Sequence, residues 1–529
     1  MISFYKDIVE QTFLHGKKED TQRSDCDMIL LMRNTFPLRK YIPPAILAVS
    51  LFIVYLKTMA PGLTWANEGS DGGDLITAAA VGGVAHPTGY PVYLFLARLF
   101  QLLPIGSLAF RTNLLSAFAT AFAALLVYFF VNQSLSNSVG FKYAGLVSAL
   151  AFGLSPLIWS QAVITEVYAL HTLFVMIILY LSSDRAISYF PRKRLDILLG
   201  LAFGLGMGNH ATTILLFPIL FFSVFWSADA GHSFERWRLS AQVLLRRLLW
   251  MGIGLLTYIS LPLRALMLPK INWGNPVTLG NFIWLVSGKL YQEQFFGLPI
   301  ESNWLRVRAV AGMLVEQFGM AGLAIGLIGL IVFYKHSRLY LNTIWVSFAS
   351  MLFAVGYATV DSYMYLIPAF VCFAIWLGFG VNGLMNMVYQ RFHKLEYLIG
   401  LIVILYLFVQ AGNRFPQVDA SRDMRAEEFG KAVMAQAPAD ALVFAKGDKA
   451  IFAIWYFHYA LRERQDLVVV ATDLLQFDWY QESLHVNYPR LNLPGAYPFA
   501  STVMAANPEY SVCHVEYFQQ AEITCETRE

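Results

Sequence analysis

Long apolar runs are the feature that most constrains how this chain can fold. A helix needs roughly 20 apolar residues to cross a membrane, and only 14% of the residues are charged, against about a quarter in soluble domains. The apolar runs occupy about eleven segments, which are 41–60, 109–132, 143–164, 166–183, 195–209, 211–227, 248–267, 309–334, 340–358, 362–387 and 396–412. The sequence therefore predicts a polytopic α-helical membrane protein.

Lysine and arginine are distributed unevenly over the loops between these runs. Seven of them precede residue 41, and alternate loops carry most of the others, whereas the intervening loops are poor in them except for 268–308. Basic loops remain in the cytoplasm, so we predict that segment 1–40 is cytoplasmic. The loop 61–91 and everything after residue 412 should then lie on the outer face of a bacterial inner or cell membrane.

Residues 413–529 differ from the rest of the chain, because 16 acidic and 10 basic residues replace the long apolar runs. The segment 441–448 has the pattern of a buried strand that ends in a Gly-Asp turn, and 466–474 has that of a second buried strand. Between them, 451–464 is predicted to form an amphipathic helix. We expect a small α/β domain outside the membrane.

Composition excludes several other classes of protein. No basic tract or zinc-ligand spacing indicates nucleic-acid binding. Four cysteines are too few for a disulfide framework. Cys513 and Cys525 could pair if the domain is outside the cytoplasm, while Cys26 and Cys372 have no evident partner.

The loop 61–91 holds three carboxylates, Glu68, Asp71 and Asp74, and no lysine or arginine. Acidic side chains beside a membrane are costly without basic partners, and they are functional candidates for that reason. Asp71 and Asp74 are our catalytic candidates, since a general base must accept a proton from the reacting group. The alternative is a solvated loop in which Asp74 caps the following helix.

The same loop ends in the stiff motif HPTGYP at 86–91. Its two prolines restrict the residues before them and predict extended conformations for His86 and Tyr90. We expect both side chains to contact substrate, and a metal-ligand role is the alternative for His86. The run 91–104 is too short to cross a membrane and predicts a re-entrant or interfacial helix.

Polar residues also interrupt other apolar runs at their predicted outer ends. Glu166 and Tyr168 lie between two runs, and Asn209 and His210 form the predicted tip of a helical hairpin. We predict that all four line one outer cavity, although an end-capping carboxylate and a simple turn are the alternatives. The segment 361–365 has the pattern of a helix N-cap followed by interfacial aromatic residues.

The long loop 268–308 is the outer loop that carries cations, against the general charge bias. Arginine suits phosphate recognition through two parallel hydrogen bonds, while contact with lipid headgroups is the alternative for any single cation. In and just before this loop, the residues assigned to substrate binding are Arg264, Lys270, Trp273, Asn275 and Lys289.

Six motifs in order carry a resemblance to a known family: DGGDL, HPTGYP, SPLIWSQAVITEVYALH, GLGMGNHAT, LPLRA and INWGNP. The chain resembles the transmembrane-protein-260-like family, first known as a domain of unknown function, whose animal members are protein O-mannosyltransferases. The resemblance covers about residues 40–300, and it extends loosely into the tail through AKGDKAIFAIWYF and DWY. It implies a GT-C glycosyltransferase fold, a lipid-phosphate-linked sugar donor and an acidic residue in the first outer loop.

The family's Asp-Ser-Gly-Glu pattern matches Asp71-Gly72-Gly73-Asp74, with glycine for serine and aspartate for glutamate. The resemblance therefore favours Asp71 over the shorter-reaching Asp74 as the functional carboxylate, and it gives no support to Glu68.

We predict a catalytic membrane domain at 41–412 and an extracytoplasmic domain at 413–529. The predicted reaction is the inverting transfer of a monosaccharide from a polyprenyl-phosphate carrier to a hydroxyl of a protein, an envelope glycan or a lipid. No cofactor is required, and the sequence does not indicate the divalent metal that such a site could hold. The alternatives are a glycolipid transporter or flippase and a non-catalytic envelope assembly protein.

Overall fold

A computed structural model of the chain describes residues 38–529 except for 137, 139, 184–185, 187–189, 226–233, 335–336, 394, 496–497 and 527–529. The predicted cytoplasmic segment up to residue 37, with Cys26, lies outside the described residues, as do the basic loop residues Arg185, Lys335 and Lys394. Among the described residues, 38–47 and Ala48–Glu529 belong to separate structural units, and the candidate site lies within the second unit.

The described α-helices, numbered in chain order, are α1 Leu38–Thr58, α2 Gly72–Val81, α3 Pro91–Gln101, α4 Leu108–Ser134, α5 Phe141–Gly153, α6 Pro156–Ala162, α7 Val167–Leu181, α8 Arg192–Asn209, α9 Pro218–Phe225, α10 Phe234–Leu255, α11 Ser260–Ala265, α12 Leu279–Val286, α13 Ile300–Phe333, α14 Ser337–Gly356, α15 Ile367–Arg391, α16 Glu396–Val418, α17 Arg425–Gln436, α18 Asp448–Trp455, α19 Asp478–Asn487 and α20 Ala500–Ala506.

The membrane-spanning character predicted from the apolar runs is confirmed. Within the described residues, the stretches long and apolar enough to cross a membrane number seven: Tyr41–Thr58, Leu108–Ser134, Arg238–Ala265, Glu301–Phe333, Leu339–Gly356, Ser362–Arg391 and Glu396–Val418. The bent pair α5 and α6 would make an eighth.

The predicted count of eleven is reached only if the shorter helices α7 and α8 and the apolar stretch Ala211–Phe222 are included. The span predicted at 143–164 is two helices that meet at 67°. Pro156 stands at the first position of α6, and a proline there starts a new helix because it cannot donate to the preceding turn.

The segment 91–104 forms α3, which has eleven residues and ends at Gln101. It is too short to cross a membrane, as the sequence predicts. It packs against α2, α4 and α8, and its predicted interfacial position stays a prediction.

The C-terminal part folds into a four-stranded mixed sheet, in agreement with the predicted α/β architecture. Its strands are β1 Leu442–Lys446, β2 Val468–Ala471, β3 Val512–Tyr517 and β4 Ala521–Glu526, arranged in the order β2-β1-β3-β4. Strand β1 is parallel to β2 and β3, and β4 is antiparallel to β3. Cys513 and Cys525 are paired across β3 and β4 by a disulfide.

The helix predicted to be amphipathic at 451–464 is instead buried on all sides. Helix α18 continues as a π-helical turn, Tyr456–Ala460, and residues 450–459 are all buried. One side packs on β1 and β3, and the other packs on α2. A helix that is covered all round has no polar face. Because α18 is packed between them, the C-terminal sheet and the acidic loop share one apolar core.

Candidate active site

The acidic loop and the HPTGYP turn place their side chains through specific backbone conformations. A 3₁₀ turn, Ala66–Asp71, leads directly into α2, and α2 ends at Gly82, whose φ of +69° closes the helix in the left-handed conformation. Gly89 has a φ of +84° and its N–H donates to the His86 carbonyl oxygen at 2.8 Å. Tyr90, predicted to be extended, is left-handed with a φ of +42°, because it must turn the chain into α3.

His86 lies between the two catalytic candidates. Its Nδ1 is 2.7 Å from Asp74 Oδ2, which also accepts the His86 backbone N–H at 3.0 Å. Its Nε2 is 3.6 Å from Asp71 Oδ2. Trp273 Nε1 donates to the other Asp74 oxygen at 3.1 Å. Asp74 is fully buried, whereas the Asp71 side chain is 40% exposed, so only Asp71 can meet a substrate.

The charges of this cluster depend on one another. Burial alone would lower the pKa of His86, but the Asp71 carboxylate and the hydrogen bond to Asp74 outweigh it and raise that pKa to about 9. His86 is therefore a cation at neutral pH. Removal from water raises the pKa of Asp71, and the neighbouring carboxylates of Asp74 and Asp361 add to this, while His86 opposes it.

Asp71 and His86 open onto a cavity of about 360 Å³. Five carboxylates line it, namely Glu68, Asp71, Glu166, Asp361 and Asp448. Among the described lining residues there is no lysine or arginine, and in the described part of the chain no set of three His, Cys, Asp or Glu is placed to hold a metal ion. Seven aromatic residues also line the cavity, namely Tyr90, Tyr168, Tyr291, Phe295, Phe353, Tyr357 and Tyr365.

The structure brings together six of the thirteen residues assigned to the site from sequence, which are Asp71, His86, Tyr90, Glu166, Tyr168 and His210. Asp74 and Trp273 lie behind His86 and support it. Asn209 is fully buried and donates to the Val167 carbonyl oxygen at 3.3 Å. It anchors the hairpin from which His210 reaches the cavity wall.

The residues predicted to bind phosphate do not line this cavity. Arg264 donates to the Gly83 carbonyl oxygen at 3.2 Å, and Lys289 is exposed and donates to Gln292 at 3.4 Å. Lys270 is exposed, and Asn275 donates to Glu482 of α19 at 3.1 Å. Arg264, Lys289 and Asn275 are thus engaged by the Gly83 carbonyl, the Gln292 side chain and the C-terminal sheet domain, respectively, an outcome that spacing along the chain does not reveal.

A second cavity, of about 430 Å³, adjoins the first and shares Thr359 with it. Its wall is mostly apolar and comes from α13, α14 and the residues after α14. Arg306 lines it and donates to the Ser362 hydroxyl. We call this the lateral cavity.

Sequence reasoning missed several lining residues. Asp361 and Tyr365 have the pattern of a cap and an aromatic belt, yet both line the cavity, and Glu68 does so too. Asp448 reaches it from the C-terminal sheet domain. Its signal was the position two residues after a buried strand, because ligands bind at the carboxyl ends of the strands in parallel sheets.

The C-terminal part also holds the acidic loop by its backbone. Asp423 Oδ2 accepts hydrogen bonds from the Thr64 hydroxyl at 2.6 Å and from the backbone N–H groups of Trp65 at 2.9 Å and Ala66 at 2.8 Å. Glu427 accepts the N–H of Leu63 at 3.0 Å. The segment that leads into Asp71 is thus fixed by carboxylates from about 360 residues further along the chain.

The fold defines the chain as a polytopic membrane protein with the architecture of ArnT. ArnT from Cupriavidus metallidurans bound to undecaprenyl phosphate superposes with a TM-score of 0.57 at 12% identity, covering 91% of this chain and 93% of ArnT. The apo form of the same protein gives the same TM-score at 11% identity. At this identity the similarity establishes the fold alone.

The resemblance to the transmembrane-protein-260-like family is confirmed by two segments. Residues 71–232 match the protein O-mannosyl-transferase TMEM260 N-terminal domain, and residues 426–492 match TMEM260-associated domain 2. The relatives named protein O-mannosyl-transferase TMEM260 in Dictyostelium discoideum and Mus musculus are 25% and 26% identical over 85% of this chain. The matches span 59% and 65% of those relatives' own length.

Proposed function

We propose that the chain is an inverting membrane glycosyltransferase that moves mannose from a polyprenyl-phosphate carrier to a serine or threonine hydroxyl of a protein. The observation that carries this proposal is the accessible Asp71 carboxylate, held against the His86 cation inside an acidic, aromatic cavity of an ArnT-like fold. The names of the relatives favour mannose and a protein acceptor. The undecaprenyl phosphate bound to ArnT favours a polyprenyl-phosphate donor.

In the proposed reaction, Asp71 accepts the proton of the acceptor hydroxyl while the oxygen of that hydroxyl bonds to the anomeric carbon of the sugar. The bond from that carbon to the carrier's phosphate oxygen breaks, and the lipid phosphate leaves with the electron pair. Asp74 acts as a positioning residue, because it is buried and holds His86 from behind. His86 keeps a positive charge beside Asp71, which favours the ionised form that a base requires.

The sugar and the phosphate require different surroundings. A cavity lined by five acidic residues and, among its described lining, no lysine or arginine is a poor site for a phosphate, while carboxyl groups and aromatic faces suit the hydroxyls and apolar face of a neutral sugar. We therefore place the sugar beside Asp71 and the lipid phosphate near Arg306, with the polyprenyl chain in the apolar lateral cavity. This replaces Arg264, Lys270 and Lys289 as the phosphate contacts expected from sequence.

The test is Asp71→Asn in purified protein reconstituted with polyprenyl-phosphate mannose and a serine-containing acceptor peptide. Loss of a general base should lower kcat by about 100-fold or more, while donor binding is retained. Glu68→Gln is the matched control, since Glu68 lines the same cavity without contacting His86 in the described structure. Transfer by Asp71→Asn at the wild-type rate would show that Asp71 is not the base.

A further inference from the structure

Asp448 occupies a distinctive place in the fold. Among the described residues that line the cavity at Asp71 and His86, Asp448 alone comes from the part of the chain beyond residue 412. It directly follows Gly447, which links strand β1 to helix α18. The Gly447 N–H donates to Asp473 at 2.8 Å, so the turn that presents Asp448 is fixed from the end of the neighbouring strand β2.

The sheet topology gives this position an independent meaning. Strand β1 lies between its parallel neighbours β2 and β3. The chain leaves β1 to form β2 on one side of β1, and it then leaves β2 to form β3 on the other side. Ligands of open parallel sheets bind outside the carboxyl ends of the strands, where the strand order reverses. Asp448 lies at that point, and here the carboxyl edge of the sheet faces the cavity that contains Asp71.

The side chain of Asp448 is free to meet a ligand. The residue is exposed, in contrast to the fully buried Asp74, and the residues of α18 from Ala450 onward are buried. Its carboxylate shares its electrostatic surroundings with Asp71 and His86. In the described part of the chain no side-chain hydrogen bond or ion pair holds this carboxylate, and it lines the same cavity as the proposed base.

The two substrates of the proposed reaction reach the site from different surroundings. A polyprenyl-linked sugar arrives from the membrane, whereas a polypeptide arrives from water, on the side of the C-terminal sheet domain. Resting on the proposed function, we propose that Asp448 is a specificity-determining residue that accepts a hydrogen bond from a main-chain N–H of the polypeptide acceptor, next to the hydroxyl that reacts at Asp71. The sheet domain thereby forms part of the acceptor site.

The first test is steady-state kinetics of Asp448→Asn and Asp448→Ala with polyprenyl-phosphate mannose and a serine-containing peptide. Loss of a charge-assisted hydrogen bond should raise the KM for the peptide by about tenfold or more, while the KM for the donor stays within about twofold. Asp448→Glu should restore part of the peptide affinity. Asp478→Asn is the matched control, since Asp478 is an exposed aspartate of the same domain outside the cavity.

A peptide KM that stays within about twofold of wild type in both variants would overturn the proposal, as would a rise confined to the donor KM. A second measurement avoids dependence on turnover. In Asp448→Cys, labelling by a positively charged methanethiosulfonate should be slowed by the peptide and not by a lipid-linked mannose analogue, and the reverse pattern would also overturn the proposal. The result for Asp71→Asn is independent of these outcomes, so failure of the proposed function can be distinguished from failure of the proposed role of Asp448.

Discussion

At the scale of single residues, Asp71 and Asp74 have different roles because one side chain is exposed and the other is buried, although the two side chains are chemically identical. Asp71 and Asp74 are three positions apart, and both could serve as bases on sequence grounds. In the structure Asp74 is committed to His86 and Trp273, whereas Asp71 has an exposed face towards the cavity. The family pattern already favoured Asp71, but only the fold gives Asp74 its supporting contacts.

The charge on His86 predicts a pH dependence of stability. A pKa raised from 6.5 to about 9 in the folded state corresponds to at most about 3 kcal/mol of stability. That contribution is complete below pH 6.5 and is lost as the pH rises to about 9. Thermal unfolding of wild type and His86→Gln should therefore differ most at low pH and converge at high pH. A difference that stays constant with pH would contradict a charged His86.

The lateral cavity leads to a second prediction at this scale. If Arg306 contacts the lipid phosphate, Arg306→Ala should raise the donor KM by about tenfold and leave the peptide KM unchanged. Arg308→Ala is the matched control, because Arg308 is two residues away and packs over Trp304 outside the lateral cavity. A larger donor effect from Arg264→Ala than from Arg306→Ala would restore the assignment made from sequence.

At the scale of elements, the contact between α2 and α18 joins the acidic loop to the C-terminal domain. A Cβ atom on Gly73 would lie 2.4 Å from the Phe452 carbonyl oxygen, which belongs to backbone and cannot rotate away. A Cβ on Gly72 would be 3.3 Å from the nearest atom, the Thr165 carbonyl oxygen. Gly73, which matches the glycine of the family pattern, is thus required for close packing of α2 and α18. Gly72, where that pattern has serine, has more room.

This contact predicts different outcomes for two adjacent substitutions. Gly73→Ala should force α18 away from α2 and destabilise the protein by about 1–3 kcal/mol, with loss of transfer activity because Asp448 moves with α18. Gly72→Ser should fold and retain most of its activity. Melting temperature and transfer rate of the two variants, measured side by side, check this. Equal tolerance at both positions would show that the two helices are not closely packed.

At the scale of the whole molecule, the orientation in the membrane is a proposal supported by charge and by cysteine chemistry. The basic loops favour an extracytoplasmic C-terminal domain, and the Cys513–Cys525 disulfide is of the kind that persists in oxidising compartments. In intact cells treated with a reductant, a membrane-impermeant maleimide should label Cys525, which is half-buried, whereas Cys513 is fully buried. Cys26, in the predicted cytoplasmic segment, should react only after permeabilisation.

The control for this experiment is the double variant Cys513→Ser, Cys525→Ser, which should lose the labelling seen in intact cells. Cys372 is buried in α15 and should stay unlabelled in the folded protein. Labelling of Cys26 without permeabilisation, together with protection of Cys525, would mean that the orientation is reversed.

The sequence by itself determined the membrane class, most of the helices, the strands β1 and β2, and the loop that contains Asp71. These features depend on local properties, since apolar length, turn residues and motif order can be read within about 20 residues. The tertiary structure decided which charges meet. It moved Arg264 and Asn275 away from the cavity, buried Asp74, and brought Asp448, 377 positions along the chain from Asp71, to the cavity that Asp71 lines. Such contacts depend on how distant elements pack together, which local sequence patterns do not specify.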